Sequence, residues 1–235
     1  MSATIGILGG MGPLATLDFV QKIIHHTHAG SDQENIPLQI HCVPQIPDRT
    51  AFLMGSGESP LPALTAGLNT LIATKVSCIT IPCNTAHYWH PDLQSICSVP
   101  ILHIAQTCAQ QLTHQHIKSV ALMATDGTLK AGFYSKELAQ YGIELTLPST
   151  KIQEKVMSGI YLVKAGSVEE GAKILEDCVK DLLSTGVESI ILGCTEIPFA
   201  LDHIHSETKP FTLDATDTLA KACVDWYAIA KQETL

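Results

Sequence analysis

One pattern limits the fold more than any other: strand-type apolar runs alternate with helix-period segments, and the series occurs twice. Thr4–Leu8 predicts a first strand, Gly9-Gly10-Met11-Gly12-Pro13 a turn, and the following stretch a helix to about His28, with Pro13 at its first position. Ile36–Val43 and Ser77–Ile81 predict strands, with a helix between them marked by Leu61, Leu64, Leu68 and Leu71. Pro100–His103 predicts a fourth strand. A second series opens with the strand Ser119–Ala124, the turn Thr125-Asp126-Gly127-Thr128 and a helix to about Tyr141. Strand Ile143–Leu147 follows, then helix from about Lys151 to Ser184 with a break near Gly166, strand Val187–Leu192, and a closing helix Ala215–Lys231.

The two series share a layout. Each begins with a strand and a glycine or polar turn, and each reaches an apolar strand that runs into a cysteine: Ile81-Pro82-Cys83-Asn84-Thr85 and Leu192-Gly193-Cys194-Thr195-Glu196. Alternating strands and helices build parallel sheets covered on both faces. The expectation is therefore α/β: two similar parallel-sheet subdomains related by a pseudo-twofold, with a cleft between them. The first lobe is expected over 1–104 plus 210–235, the second over 105–209. An aromatic content of 5% suits such sheets better than a β-sandwich.

Charge removes several functions. The net charge is −9, and Arg49 is the only arginine beside 13 lysines. Nucleic acid and anionic membrane surfaces call for the opposite balance. No apolar run approaches the roughly 20 residues of a spanning helix, and the N-terminal residues carry no signal-type pattern, so a cytoplasmic protein is expected. Gly10-x-Gly12-x-x-Ala15 approaches a dinucleotide fingerprint, but no acid follows the second strand until Asp48, which argues against a nucleotide cofactor. The histidine groups His25-His26-x-His28, His114-x-His116 and His203-x-His205 lack a convincing partner set, so no metal is expected.

Eight cysteines without a Cys-x-x-Cys divide into two kinds. Cys42, Cys78, Cys97, Cys108, Cys178 and Cys223 lie among apolar neighbours and read as small buried hydrophobes. Cys83 and Cys194 sit where parallel strands end, which is where ligands bind in such sheets. Backbone N–H groups at the following helix start favour a thiolate there. One such cysteine alone is more simply structural; two at equivalent strand ends suit inversion at a carbon, where one group removes a proton and the other delivers one. Arg49, beyond the second strand, offers a forked clamp for a carboxylate, and Lys164 is a candidate second cation. His87 follows the first cysteine turn, where tuning of the turn and helix packing are both open readings.

The motifs Gly6-Ile7-Leu8-Gly9-Gly10-Met11-Gly12-Pro13, Ile46-Pro47-Asp48-Arg49-Thr50, Pro82-Cys83-Asn84-Thr85-Ala86-His87, Ala124-Thr125-Asp126-Gly127-Thr128, Val163-Lys164-Ala165-Gly166 and Leu192-Gly193-Cys194-Thr195-Glu196-Ile197-Pro198 span the chain. In that order they resemble the aspartate racemase branch of the aspartate/glutamate racemase superfamily. Glutamate racemases are similar around both cysteines but typically carry His where Glu196 stands. The resemblance implies a homodimeric isomerase free of pyridoxal phosphate and metal. Cys83 and Cys194 become its acid/base pair and Arg49 and Lys164 its carboxylate clamps. Met11, Asn84, Thr85 and Thr195 would bind an amino-acid substrate, aspartate first. A broad-specificity racemase of the same superfamily and a catalytically silent amino-acid-binding protein are the alternatives.

Overall fold

A computed structural model describes residues 3–232. Its elements, in chain order, are β1 (Ile5–Gly9), α1 (Pro13–Thr27), β2 (Leu38–Cys42), α2 (Arg49–Leu53), α3 (Leu61–Ala73), β3 (Cys78–Thr80), α4 (His90–Ser95) and α5 (Ile104–His114). The chain continues with β4 (Ser119–Ala124), α6 (Asp126–Ala131), α7 (Phe133–Gln140), β5 (Glu144–Thr146), α8 (Thr150–Lys164), α9 (Val168–Leu183), β6 (Ser189–Gly193), α10 (Glu196–His203), β7 (Thr212–Asp214) and α11 (Ala215–Gln232). The chain divides into two units. One comprises the residues up to Thr107 with those from Thr216 onward; the other is Cys108–Ala215. Positions 1–2 and 233–235 of the first expected lobe lie outside the described residues.

The first unit holds a three-stranded parallel sheet in the order β2-β1-β3. Alternation sorts its side chains. Leu8 and Ile79 pack with Leu64, Leu68 and Leu71 of α3, in a cluster that also takes in Ile81 beyond β3 and Met11 and Cys83. On β3, Thr80 meets Cys223 of α11, near Cys78. Helix α11 is also tied to α1, where Lys22 Nζ donates to Thr216 Oγ1 at 3.2 Å and His26 Nε2 lies 2.8 Å from Asp217.

The second unit holds a four-stranded parallel sheet, β5-β4-β6-β7. Ala121 and Met123 of β4 and Ile190 and Leu192 of β6 share one core with α8, α9 and α10. Burying each large aliphatic side chain there contributes about 1.5–3 kcal/mol. The first three strands of both sheets have the same order: the first strand in the middle, the second on one side, the third on the other. Each cysteine turn follows the third. The expected α/β class with two similar parallel sheets is what the chain forms.

Four local expectations change. Pro100–His103 makes only a bridge, Ile79 to Ile101, because Pro100 has no N–H to extend the ladder. The helix after Asp126 is split at Gly132, whose φ of 69° takes it out of helical geometry. Thr212–Asp214, in the stretch expected to return to the first lobe, pairs with β6 and belongs to the second sheet. Cys42, grouped with the buried cysteines, is exposed on β2, which has a neighbour on one side only.

The α8–α9 hairpin depends on a close approach. A Cβ at Gly171 would stand 2.7 Å from the Gly159 carbonyl oxygen and 2.7 Å from a Val163 methyl. Backbone cannot yield as a flexible side-chain tip can, so the helices would have to part. Gly171→Val is expected to lower stability by about 2–3 kcal/mol, read as a drop in the chemical-denaturation midpoint with an unchanged slope; a midpoint like that of the parent would refute the close-packing account.

Candidate active site

In the first unit the site begins where β1 ends. Gly10 adopts φ 98°, and a Cβ there would meet the Val43 backbone at 2.3 Å, so only glycine fits the turn. Its N–H donates to Thr16 Oγ1 at 2.9 Å, fixing the turn to α1. Met11, next in line, is buried in the same cluster as Ile46, Cys83, Ala86 and Trp89. The structure thus brings the first glycine turn, the loop after β2 and the cysteine turn after β3 together.

Cys83 lies beyond β3, 7% exposed, in extended backbone ahead of a 3₁₀ turn, Asn84–Trp89. Asn84 and Thr85 beside it are buried. His87 packs under this turn, its Nε2–H donating to the Ile81 carbonyl at 3.0 Å, two residues before the cysteine. His90 and His103 crowd its ring, with centroids 5.9 and 5.0 Å away. Burial, aided by these two neighbours, pushes His87 well below the ordinary imidazole range and keeps it neutral. Of the two sequence readings for His87, the structure shows one that combines them: a packed ring that anchors the turn.

Arg49 opens α2. Asp48 does not need to serve it as a partner to be placed: its carboxylate caps α2, accepting from Ala51 N at 2.8 Å. Arg49 Nη1 donates to the Ile46 and Pro47 carbonyls at 3.2 and 3.0 Å, which pins the guanidinium to its own loop. Its Nε is buried with no hydrogen-bond partner. A buried donor without an acceptor is costly, and an incoming carboxylate oxygen would satisfy it.

In the second unit the corresponding edge is formed by the ends of β4 and β6, where Ala124 pairs with Gly193. Thr125 caps α6, and Asp126 Oδ1 accepts from Gln153 Nε2 at 2.7 Å. Gln153 also donates to the Ala124 carbonyl, and Met157 Sδ accepts from Asp126 N at 3.4 Å. Gln153, Met157 and Lys164 recur at helical spacing along α8, a stripe the sequence reading did not single out beyond Lys164.

Cys194 follows β6, also 7% exposed. Its thiol donates to Glu196 Oε2 at 2.9 Å, and Thr195 Oγ1 donates to the same oxygen at 2.9 Å. Lys164 Nζ lies 4.0 Å from the other carboxylate oxygen, Oε1. This corrects the expectation of a thiolate at this strand end. A backbone N–H does favour the anion, as does Lys164, but burial and the Glu196 charge outweigh them and push Cys194 well above the ordinary thiol range. Cys194 rests as a thiol hydrogen-bonded to a carboxylate. Glu196 was visible only as a difference from relatives; its place two residues past the cysteine, opening α10, is what aims it back at the sulfur.

Among the described residues, no cluster of three or more His, Cys, Asp or Glu side chains could hold a metal ion. His26 is instead paired with Asp217, and His103 Nδ1 accepts from Gln106 N. Among the same residues, no helix is long and apolar enough to cross a membrane.

The model of the Asp/Glu/hydantoin racemase family matches residues 8–223. The chain is 31% identical over 230 residues to the broad specificity amino-acid racemase RacX of Bacillus subtilis, covering 95% of this chain and 97% of that one. Among solved structures it is similar to the aspartate racemase of Picrophilus torridus, with a TM-score of 0.85, 28% identity and coverage of 97% and 95%. The fold is also that of a glutamate racemase from Francisella tularensis, with a TM-score of 0.70 at 18% identity and coverage of 99% and 82%.

The neutral His87 generates a pH prediction. Its unfolded-state value is near 6.5 and its folded value lies well below, so between these the unfolded chain binds the extra proton. Stability therefore rises with pH across that window and is lost as pH falls from about 6.5. His87→Gln is expected to flatten this part of the profile of melting temperature against pH; an unchanged acid limb would show that His87 does not produce it.

Proposed function

This chain belongs to the Asp/Glu/hydantoin racemase family, and we propose that it interconverts L- and D-aspartate without a cofactor, using Cys83 and Cys194 as its two proton-transfer groups. The observation that supports this most directly is the Cys194 thiol hydrogen-bonded at 2.9 Å to Glu196, at the end of a strand whose counterpart in the other sheet leads to Cys83. A half-buried carboxylate set against a buried thiol suits a sulfur that must give up and regain a proton.

In this mechanism one sulfur removes the α-proton while the other delivers a proton to the opposite face, and the roles reverse for the other enantiomer. The α-carbon is a very weak acid, so charge that develops on the α-carboxylate needs donors already in place. Asn84, Thr85 and Thr195 beside the two cysteines, together with backbone amides of the turns, are proposed for this task. Met11 supplies an apolar wall. Arg49, with its unpaired Nε, and Lys164 are the proposed carboxylate clamps, and their two positive charges favour a diacid. The resemblance to a named aspartate racemase at 28% identity supports the same substrate. The 31% identity to a broad specificity enzyme supports a second reading, in which aspartate is one of several amino acids turned over. A homodimer is the proposed assembly, with the exposed Leu14, Leu17 and Ile24 along one side of α1 as its candidate contact.

Chiral chromatography of L- and D-aspartate, with no cofactor added, is expected to show approach to a racemic mixture from either side. In deuterated water the enantiomer formed should carry deuterium at Cα. Cys83→Ser and Cys194→Ser are each expected to lower kcat by at least 10²–10⁴-fold, on the order of general acid–base catalysis. A variant that kept most of its turnover would remove that cysteine from the mechanism, and a panel of neutral amino acids decides between the narrow and the broad reading.

A further inference from the structure

We propose that Asp126, held in place by Gln153, is the acceptor for the α-ammonium group of the substrate, and that this pair selects α-amino acids over the same acids without an amine. The inference rests on the reading of an amino acid as the substrate, and it names the residue that recognises the group defining that class.

An acidic amino acid brings two carboxylates and one ammonium to its site. Arg49 and Lys164 are the proposed partners of the carboxylates, and the ammonium calls for a negative group. The acids at other strand ends are engaged. Asp48 caps α2, accepting from Ala51 N at 2.8 Å. Glu196 accepts from Cys194 and Thr195, both at 2.9 Å. Asp214, ending β7, directs its charge at the buried Cys108 and Tyr134. Asp126 stands where the task requires. β4 and β6 are neighbours with Ala124 opposite Gly193, so Thr125 and Cys194 are the next residues on strands about 4.8 Å apart. Asp126 comes one residue further along, half-buried at the edge from which Cys194 emerges.

Its surroundings hold the carboxylate firmly without neutralising it. Gln153 Nε2 donates to Asp126 Oδ1 at 2.7 Å and to the Ala124 carbonyl at 3.1 Å, tying the acid to the strand that carries it. The Asp126 N–H donates to Met157 Sδ at 3.4 Å, one turn further along α8. An amide and a thioether are both neutral partners. Because both groups facing the Gln153 amide are oxygen acceptors, its nitrogen must point at them and Oε1 must point away. Oε1 is buried and, among the described residues, has no hydrogen-bond partner. The pair thus sets a negative charge beside an unanswered acceptor, and what it lacks is a positively charged donor. A primary ammonium, with three N–H bonds, is such a donor.

The pairing also serves the chemistry. An ammonium kept beside Cα places a positive charge next to the electron pair that develops when the α-proton leaves. Asp126 holds that charge in position and takes no part in the proton transfer. It is a substrate-binding residue, and Gln153, acting through it, is a positioning residue.

Succinate is aspartate without its ammonium, so comparing the two isolates that group. Binding is measured by titration calorimetry on the full chain, with succinate and with racemic aspartate, whose composition turnover does not change. The parent is expected to bind aspartate about tenfold more tightly than succinate or better. Asp126→Asn is expected to remove that preference by weakening aspartate about tenfold, while succinate binds as well as before or more tightly, a repelling charge having gone. Gln153→Leu keeps the acid and is expected to narrow the preference in the same direction; it decides by the same comparison if Asp126→Asn does not fold. A purely structural role would weaken both ligands together. The inference is overturned if the parent does not prefer aspartate, if Asp126→Asn keeps the preference, or if both variants weaken the two ligands equally. Optical rotation of L-aspartate keeps the two proposals apart. A parent that prefers aspartate through Asp126 but never racemises it ends the racemase reading alone, whereas one that racemises aspartate and binds succinate equally well ends the ammonium site alone.

Discussion

Everything about the candidate site follows from a parallel sheet sending all its strands to one edge. Backbone pairing of β1 with β2 and β3, and of β4 with β5 and β6, fixes that edge twice. Where a strand stops, its next residue emerges among the starts of several helices, with their unpaired N–H groups nearby. Cys83 and Cys194 occupy that place after the third strand of each sheet, and the first strands deliver Met11 and Thr125 to the same edges. The two cysteines are therefore placed by the strands that lead to them, whereas Arg49 is held by the loop after β2 and Lys164 by α8.

The two edges differ in how their surroundings treat a thiol. At Cys194 a carboxylate accepts the S–H, and burial keeps the proton on sulfur. Near Cys83 a neutral imidazole, that of His87, braces the strand end through its hydrogen bond to the Ile81 carbonyl. Repetition in the fold thus supports unlike electrostatics at the two turns. A repeated backbone layout does not require repeated side-chain chemistry at its strand ends.

Much of the fold was legible because its signals are periodic. Ser119–Ala124 was read with its observed bounds, and the α8–α9 break near Gly166 was plain from glycine chemistry. What escaped was short or non-periodic. β7 has three residues, too few to show alternation, and Gly132 interrupts a helix whose apolar pattern runs on through the break. At the site, the strand-end cysteines could be picked out from their repeated setting. The protonation of Cys194 could not, because it depends on burial and on where Glu196 points, and a donor count at a helix start takes account of neither. The same holds for Gln153, whose grip on Asp126 spans 27 positions of sequence.

Helix α11 lies last in the chain yet belongs with the first sheet, where Leu219, Ala220 and Cys223 are fully buried. The second unit, by contrast, is one uninterrupted stretch, Cys108–Ala215. The packing of α11 with the first sheet thus joins segments separated in sequence by the whole second unit, and contacts of that kind close a long loop before they stabilise anything.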